Sequence, residues 1–491
     1  MKLLRTLMKG LATVLFFASL SNQIHAQNPS QQAPSELDLS HLLIRIGTPL
    51  VARGPAPNVA DNVFTEIKLP DGRFRGFTGA ATMFAIDGNA PYDMGGPAVV
   101  VLKPGPAGSL SSCGQWIQHV ELQGDTLIGW IHSESQCNYA IGQNHYIDSI
   151  ATSSDYGLTW KVQGFSIAGT PEDTPKPRQV TGESCASTVK GQDGYYYSYC
   201  GGGGHNYVAR APISNPGSGQ WKKYYNGSFS EPGIGGKSTN MSQQAGDASF
   251  WLTTHQTVSV TWVKGGLGIQ FSKDYMHFTE FPVPILKLDS GYWDRRKNPP
   301  NELLSYAGLI DAATGANQLG DQWYVTYMYL QPNEGFDKRY LVFRPVSVSL
   351  SRQGDEPQVG VMLTRWYSNQ KHDHWTSVQA VPENYTDYKL EAQLGYLMTT
   401  PDPPKKSIEL EECVSYSSGH PDHLIAPKDV CEAANYMRLR SAGYVYADQQ
   451  PRTQPLYRCF SQDEHSHFAA TSQNCANLGK NEGLLGYDLK N

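Results

Sequence analysis

The chain has 491 residues, more than one ordinary hydrophobic core organises, so two or more domains are expected. Its formal net charge is −6 at pH 7, and this mildly acidic balance argues against nucleic acid or an anionic membrane surface as a partner. The composition includes 28 Tyr, 10 Trp and 48 Gly, which favours an all-β fold with many turns. Tyr and Trp rings also suit stacking on sugars.

Residues 1–26 have the pattern of a signal peptide. A basic start precedes the apolar run Leu11–Leu20, and a cleavage site ends at Ala26. The run is too short to span a membrane, and no Cys follows it as a lipoprotein anchor would require. We therefore predict a secreted or periplasmic protein without membrane insertion. Residues 27–60, rich in Pro, Gln, Ser and Asn, are predicted to be a leader that runs into an irregular segment.

The cysteine count fits an exported chain. Eight cysteines, an even number, imply disulfides in an oxidising compartment, and no Cys-x-x-Cys pattern competes with that interpretation. Spacing favours the pairs Cys185–Cys200, Cys413–Cys431 and Cys459–Cys475, which leaves Cys113–Cys137. The connectivity is a hypothesis at this stage.

The most specific local pattern is Ser153–Trp160, which fits Ser-x-Asp-x-Gly-x-Thr-Trp at every fixed position. In a tight turn between strands, Asp155 accepts hydrogen bonds from backbone N–H groups and Gly157 supplies the backbone freedom. The stretch resembles the Asp-box of sialidases and other propeller-fold proteins. An Asp-box marks the fold and usually lies away from the active site, so the resemblance implies a β-propeller without indicating its chemistry.

Strand-and-turn patterns repeat from residue 61 to residue 350. Around the Asp-box we predict a four-stranded unit with strands Ile117–Leu122, Thr126–His132, Ile147–Thr152 and Trp160–Ile167. A degenerate Asp-box, Ser272–Phe278, keeps the Ser, the Asp and the closing aromatic residue of a later unit. Five such units fit the length best, and six fit if the leader contributes strands. We predict a five-bladed, or six-bladed, β-propeller.

A polar linker at 351–358 separates the propeller from a threefold repeat at 359–491. Each copy ends in Gly-Tyr: Gly395-Tyr396, Gly443-Tyr444 and Gly486-Tyr487. Three strand-rich copies of similar length predict a β-trefoil-like module. The pattern also resembles a bacterial repeat family that is often appended to secreted enzymes, which implies binding of sugars or cell-wall material.

Six histidines occupy equivalent places in the three copies: His372, His374, His420, His423, His465 and His467. A His-x-His pair can chelate zinc or copper. A residue repeated in every copy more often serves the hydrogen bonding of the repeat itself, so we predict no metal site there. We predict no cofactor. A structural Ca²⁺ in the propeller channel is an option that arabinanase-like enzymes imply, although the sequence contains no ligand motif for it.

For chemistry, the relevant resemblance is to five-bladed glycosidases of the arabinanase type and to sialidases, which place acidic residues where the innermost strands meet the central channel. It implies Glu183 as the acid, because Glu183 starts an inner strand among small residues. Asp93, in a Gly-rich loop, and Asp311, in the last unit, are the candidate partners. Glu134, at the end of a predicted strand, is a further candidate. Each is open to the alternative of an ordinary turn or surface residue.

Candidate substrate-binding residues are His119, His205 and His255, which recur near strand ends. Each could instead be a neutral histidine bonded to the backbone. Arg75 lies early in the chain, as a sialidase arginine would, but the sialidase Phe-Arg-Ile-Pro pattern is missing and its arginine triad is not carried over. Two later arginines, Arg339 and Arg344, are expected on the surface of the last unit.

The leading hypothesis is a secreted glycoside hydrolase that acts on a polysaccharide or glycan, followed by a carbohydrate-binding module. The alternatives are a non-catalytic, lectin-like or cell-envelope-binding propeller and a structural envelope protein. Two or three carboxyl groups at one channel mouth would favour the enzyme. Aromatic rings and amides without paired acids would favour the lectin. The sequence indicates neither the sugar nor the oligomeric state.

Overall fold

The described part of the chain is almost entirely β-structure. The computed structural model describes residues 42–55, 59, 61–169, 174–202, 204–241, 245–288, 302–350, 358–383 and 386–490. The predicted signal peptide and nearly all of the predicted linker lie outside these ranges. The described residues form 33 strands, one α-helix and short 3₁₀ segments; the helical segments are Tyr139–Ile141, Phe336–Lys338, α1 (Val430–Ala433) and Cys475–Asn477.

The first fifteen strands form the N-terminal extension and three antiparallel groups. In chain order they are β1 (Leu42–Ile46), β2 (Leu50–Arg53), β3 (Thr65–Lys68), β4 (Phe74–Ala80), β5 (Thr82–Gly88), β6 (Val99–Leu102), β7 (Gly114–Gln123), β8 (Thr126–Asn138), β9 (Gln143–Ser153), β10 (Lys161–Ile167), β11 (Val180–Lys190), β12 (Tyr195–Gly202), β13 (His205–Pro212), β14 (Lys222–Tyr225) and β15 (Ser228–Pro232). β3–β6 form one sheet, and a parallel contact of β9 with β11 joins β7–β10 to β11–β15 in another.

Two further groups complete this region. Their strands are β16 (Ala248–Trp251), β17 (Gln256–Val263), β18 (Gly266–Ser272), β19 (Thr279–Glu280), β20 (Leu286–Lys287), β21 (Leu303–Asp311), β22 (Gln318–Leu319), β23 (Trp323–Leu330) and β24 (Tyr340–Leu350). The first strands of the five groups contact one another in turn: β3 with β7, β7 with β11, β11 with β16, β16 with β21, and β21 with β3. The first strand of each group therefore lies next to the first strands of two other groups.

The N-terminal extension, residues 42–53, contains two strands within the segment 27–60 that was predicted to be a leader and irregular; residues 27–41 lie outside the described residues. β1 pairs antiparallel with β24, and β2 extends the same contact, so both add to the fifth group. The cause is the alternation of Leu42, Ile44 and Ile46, which are fully buried, with partly exposed neighbours. The other edge of β1 pairs parallel with the strand that follows the predicted linker.

The Asp-box forms the predicted turn between β9 and β10. Asp155 accepts hydrogen bonds from Ser153 Oγ (2.7 Å), Thr159 N (2.9 Å) and Thr159 Oγ1 (2.7 Å). Gly157 has φ +86°, and a Cβ on it would lie 2.4 Å from Phe77 of the first group. The degenerate copy makes equivalent contacts. Asp274 accepts from the His277 backbone N–H at 2.8 Å, and the His277 ring, with Nδ1 2.7 Å from Asp274 Oδ2, replaces the Thr hydroxyl.

The three sequence repeats form three equivalent groups of three strands. They are β25 (Gln358–Ser368), β26 (Asp373–Ser377), β27 (Lys389–Met398), β28 (Ser407–Ser415), β29 (Asp422–Pro427), β30 (Met437–Tyr446), β31 (Thr453–Ser461), β32 (Ser466–Ala470) and β33 (Lys480–Leu489). The third strands, which carry the Gly-Tyr marks, pair with one another at single positions, and the second strands contact one another.

Repeat-equivalent histidines join neighbouring copies by hydrogen bonds. Three contacts from backbone N–H groups close a ring: His423 N on Asp373 Oδ1 at 3.1 Å, His467 N on Asp422 Oδ1 at 2.7 Å, and His374 N on Ser466 Oγ at 2.8 Å. Histidine rings make contacts between copies as well: His423 Nδ1 lies 2.6 Å from Asp373 Oδ2, His467 Nδ1 lies 2.9 Å from Asp422 Oδ2, and His372 Nδ1 lies 2.6 Å from Glu464 Oε2. The hydrogen-bonding role predicted for these histidines is thus present in each copy. Among the described residues, no group of three or more His, Cys, Asp and Glu side chains is arranged to hold a metal ion.

A buried ionic network links the repeat region to the fifth group. Arg440 on β30 donates to Glu302 Oε2 at 2.9 Å and to Glu412 Oε2 at 2.5 Å, and also to the Tyr329 hydroxyl at 2.9 Å. The two carboxylates are 3 % and 1 % exposed. Charges buried this deeply depend on their partners, so the network fixes the repeat region against β23.

All eight cysteines pair as the spacing predicted. The disulfides are Cys113–Cys137, Cys185–Cys200, Cys413–Cys431 and Cys459–Cys475. Four disulfides are typical of proteins outside the reducing cytosol. In the part of the chain that the structure describes, no helix is long and apolar enough to cross a membrane.

Candidate carbohydrate site between the inner strands

Two adjoining cavities open beside strands β7, β8 and β11. The larger has a volume of about 580 Å³ and is lined by aromatic rings, amides and acids, among them Trp116, Tyr146, Asn144, Asp61 and Glu134. The smaller has a volume of about 300 Å³. Both are lined by Gln118, Tyr146, Ser184 and Ala186, so they share a wall. A polar, aromatic-walled cavity of this size is a default ligand site.

Glu134 is the one sequence-predicted acid among the residues that line these cavities. It extends β8 beyond the predicted strand end, and its carboxylate bonds His132 Nε2 at 3.2 Å and the Tyr139 hydroxyl at 2.5 Å. Burial alone would raise the pKa of Glu134, but the hydrogen bonds from His132 and Tyr139 outweigh it and lower that pKa below its ordinary value. Glu134 is therefore ionised at neutral pH.

His132 carries the opposite charge. Burial opposes the charged ring, but the carboxylates of Asp148 and Glu134 outweigh burial and raise the pKa of His132 to about 9. Its Nδ1 lies 2.7 Å from Ser184 Oγ, which in turn donates to Asp148 Oδ1 at 2.9 Å. Ser184, His132 and Glu134 thus have the spatial order of a nucleophile, a base and an orienting acid. A histidine that is already protonated cannot accept the Ser184 proton, so we assign Ser184 no nucleophilic role.

Asp61 is a second acid at the larger cavity, and it was not singled out from the sequence. Its Oδ1 accepts hydrogen bonds from Arg339 at 3.0 Å and from the Tyr306 hydroxyl at 3.1 Å. Arg339 is 5 % exposed and Arg344 is fully buried, so the expectation that both serve the surface of the last unit is wrong. The reason is that each finds acceptors in half-buried or buried positions: Asp61 for Arg339, and the Gly47 and Val378 carbonyls for Arg344.

Glu183 lies on β11 beside the cavity wall but is not among the residues that line either cavity. Its carboxylate is paired with the fully buried Lys223 and accepts a hydrogen bond from Tyr207 at 2.9 Å. Burial raises the pKa of Glu183, while Lys223 and Tyr207 oppose the shift. Its role as the acid stays a prediction.

We expect Glu183→Gln to lower the free energy of unfolding by about 2 kcal/mol, because the amide oxygen still accepts from Lys223 but no longer balances its charge. Denaturant unfolding measures the change. The matched control is Glu280→Gln, an exposed residue, for which we expect a change below about 0.5 kcal/mol. Lost turnover with unchanged stability would instead support the catalytic role of Glu183.

The other two candidate acids, Asp93 and Asp311, accept hydrogen bonds from backbone N–H groups of nearby turns. Asp93 Oδ2 accepts from the Asn89 backbone N–H at 3.0 Å, within the loop between β5 and β6. Asp311 is 4 % exposed, and its carboxylate accepts from the backbone N–H groups of Ala313, Thr314 and Gly320. Neither residue is among those that line the two cavities.

The structure does not bring the three candidate histidines together. His119 is buried against Trp130, with ring centroids 4.9 Å apart, and burial lowers the pKa of His119 to about 3. His205 bonds Ser238 Oγ at 2.6 Å. His255 is an exposed turn residue with φ +53°.

Arg75 supports the Asp-box turn. It forms a two-point ion pair with Asp87, with contacts of 2.6 and 2.8 Å, and donates to the Tyr156 carbonyl at 3.1 Å. This contact ties the first group to the turn of the second. Like the histidines, Arg75 is not among the residues that line the two cavities, and its substrate-binding role stays a prediction.

Sequence reasoning missed His132, Asp148 and Ser184. One usable signal was present: His132 and Glu134 are two residues apart on a strand and so lie on one face. No local pattern joins them to Ser184, whose contact with His132 crosses between groups, or to Asp61, which lines the same cavity from a distant part of the chain.

No protein family and no curated protein matches this sequence. Solved structures similar over about 60 % of the chain include glycoside hydrolases. An α-L-arabinofuranosidase from Lactobacillus brevis has a TM-score of 0.38 and 11 % identity, over 60 % of this chain and 91 % of that one. Zg3597, a family 117 glycoside hydrolase from Zobellia galactanivorans, has a TM-score of 0.41 and 11 % identity, over 65 % and 94 %. An α-L-arabinanase from Cellvibrio cellulosa in complex with arabinohexaose has a TM-score of 0.35 and 9 % identity, over 60 % and 98 %. Similarity at these TM-scores carries no argument about activity, so the proposals below depend on the residues of this chain.

Proposed function

We propose that this protein is a secreted glycoside hydrolase that binds a polysaccharide or glycan in the larger cavity. The observation that carries the proposal is the presence of two carboxylates, Asp61 and Glu134, in one cavity with the rings of Trp116 and Tyr146. Aromatic faces stack on sugar rings, amides such as Asn144 bond hydroxyl groups, and paired carboxyl groups provide the acid and base of glycoside hydrolysis.

In the proposed reaction the leaving oxygen takes a proton from the pair formed by His132 and Glu134. That pair holds one proton at neutral pH, because the pKa of His132 is raised to about 9 by the carboxylates of Asp148 and Glu134 against the opposing effect of burial. Asp61 accepts a proton from water as the water attacks the anomeric carbon and the bond to the leaving oxygen breaks. Turnover then requires a protonated pair and falls as pH rises through about 9.

The architecture proposed with this function is a five-bladed propeller followed by a β-trefoil-like carbohydrate-binding module. The successive contacts of β3, β7, β11, β16 and β21, together with the pairing of β1 and β2 on β24, support closure of five blades. Three equivalent strand groups joined by a ring of hydrogen bonds support the trefoil-like module.

The test is release of reducing ends from a panel of plant and bacterial polysaccharides by the purified mature protein. We expect Glu134→Gln to lower turnover by at least about 100-fold, because the amide oxygen still accepts a hydrogen bond from His132 but cannot take up or release a proton. The matched control, Glu280→Gln, changes an exposed residue of β19 and should leave turnover unchanged. Release by Glu134→Gln at the wild-type rate would remove Glu134 from the mechanism.

One observation favours a second function, glycan binding without hydrolysis. Both acids named at the cavity are already engaged, Asp61 by Arg339 and Glu134 by His132, and the pKa of Glu134 is lowered by the latter bond against the effect of burial. A glycosidase acid needs a proton to donate. Saturable binding of a polysaccharide from the panel, with no reducing ends released at any pH between 4 and 9, would establish the lectin function instead.

A further inference from the structure

The smaller cavity differs in character from the larger one. Its walls combine a disulfide with apolar and aromatic side chains: Cys185–Cys200, Tyr199, Val208, Met241, Met276 and Phe278. The Tyr199 and Phe278 rings meet edge to face, with centroids 5.4 Å apart and an interplanar angle of 74°. Among the described residues, charged side chains line the larger cavity but not the smaller one.

The shared wall makes the two cavities parts of one binding region. Ser184 is fixed there by Asp148 and His132, and it lines both cavities. One ligand can therefore place a polar part beside Glu134 and an apolar part beside Phe278. The amides of Gln118 and Asn206 line the smaller cavity and can bond the oxygen that joins the two parts.

We propose that the smaller cavity binds an aryl group attached to the glycan held in the larger cavity. This inference rests on the proposed function and names its substrate class: a glycan or glycoside with an O-linked aromatic substituent. The edge-to-face walls and the two methionine sulfurs favour a ring over an aliphatic chain, because aromatic rings and thioethers pack well against ring faces and edges. Burial of the ring in an apolar cavity of about 300 Å³ supplies affinity that an unsubstituted sugar lacks.

The test uses benzyl alcohol as a probe of the smaller cavity alone, with saturation-transfer NMR on the mature protein. We expect saturable binding to the wild type. Ala245→Leu, which adds bulk to a buried wall residue, should weaken binding at least about tenfold. Met276→Trp fills the same cavity from a half-buried position. It keeps the test valid if Ala245→Leu does not fold. Ala107→Leu, at an exposed loop residue, is the matched control and should bind like the wild type.

The outcomes separate this inference from the proposed function. If the wild type does not bind benzyl alcohol, or if both folded cavity variants bind it as the wild type does, the inference is wrong whatever the polysaccharide panel shows. If the probe binds in the smaller cavity but no polysaccharide is bound or cleaved, the proposed function is wrong and the aryl-binding inference is supported. If hydrolysis occurs, the wild type should prefer phenyl over methyl glycosides of one sugar, and Ala245→Leu should lose that preference.

Discussion

Arg440→Met is expected to lower the free energy of unfolding by about 3–5 kcal/mol, because it removes the buried cation that two buried carboxylates share. Glu302 and Glu412 are 3 % and 1 % exposed, and Arg440 is the residue that contacts both. Because the network joins the fifth group to the repeat region, unfolding in denaturant should also become less cooperative. Chemical unfolding followed by tryptophan fluorescence measures both effects.

The control for this prediction is Arg458→Met. Arg458 pairs with Glu482 at 3.1 Å, with both side chains 29 % exposed, so its loss should cost less than about 1 kcal/mol. Adding Glu302→Gln and Glu412→Gln to Arg440→Met removes both carboxylate charges of the network and should recover part of the lost stability. Equal effects of the Arg440 and Arg458 variants would show that the buried network contributes no more than a surface pair.

Asp488→Asn is expected to stabilise the protein in alkaline but not in acidic solution. Asp488 occupies the place after the Gly-Tyr mark where the other copies have Leu397 and Val445, and it is 1 % exposed. Burial raises the pKa of Asp488 to about 8, against the opposing effect of Gln454. The folded state therefore favours the protonated acid, whereas the unfolded chain ionises near its ordinary pKa of about 4.

The pH dependence follows from the sign of this shift. Below the ordinary pKa, Asp488 is protonated in both the folded and the unfolded state, so Asp488→Asn is no more stable than the wild type. As pH rises toward 8 the wild type loses stability, by up to about 1.4 kcal/mol per pH unit, and above the folded-state pKa the loss levels off. Unfolding at pH 5, 7 and 9 measures the difference, with exposed Asp463→Asn as the control. A constant difference between wild type and variant at all three pH values would contradict the prediction.

Features of the structure that depend on a short local sequence pattern were predicted correctly. The Asp-box turn, its degenerate copy, the disulfide pairs and the threefold repeat all appeared in the sequence because each is a short motif or a recurring spacing. Strand limits were less accurate. β8 was expected to end at His132 but continues to Asn138, since its polar extension pairs with β9. That extension carries Glu134, which lines the larger cavity. The wrong strand boundary therefore left the position of Glu134 unpredicted.

The candidate site was harder to predict because its contacts join distant parts of the chain. Asp61 and Arg339 lie in the first and fifth groups, and no spacing rule links them. On β11, alternation places Glu183 and Ser184 on opposite faces, but the sequence does not indicate which face meets the cavity. In the structure the Glu183 side chain faces Lys223, whereas Ser184 lines both cavities.

The position of β1 constrains when the molecule can finish folding. Leu42 pairs with Leu350 and Leu43 pairs with Gln358, so the earliest described strand lies between two strands that emerge from the ribosome after most of the chain. Until those partners exist, both edges of β1 are unpaired, and such edges are prone to aberrant pairing. The last group and the first repeat therefore become complete together, late in synthesis or after it. A fragment cut between them would leave one half without the strand that both share.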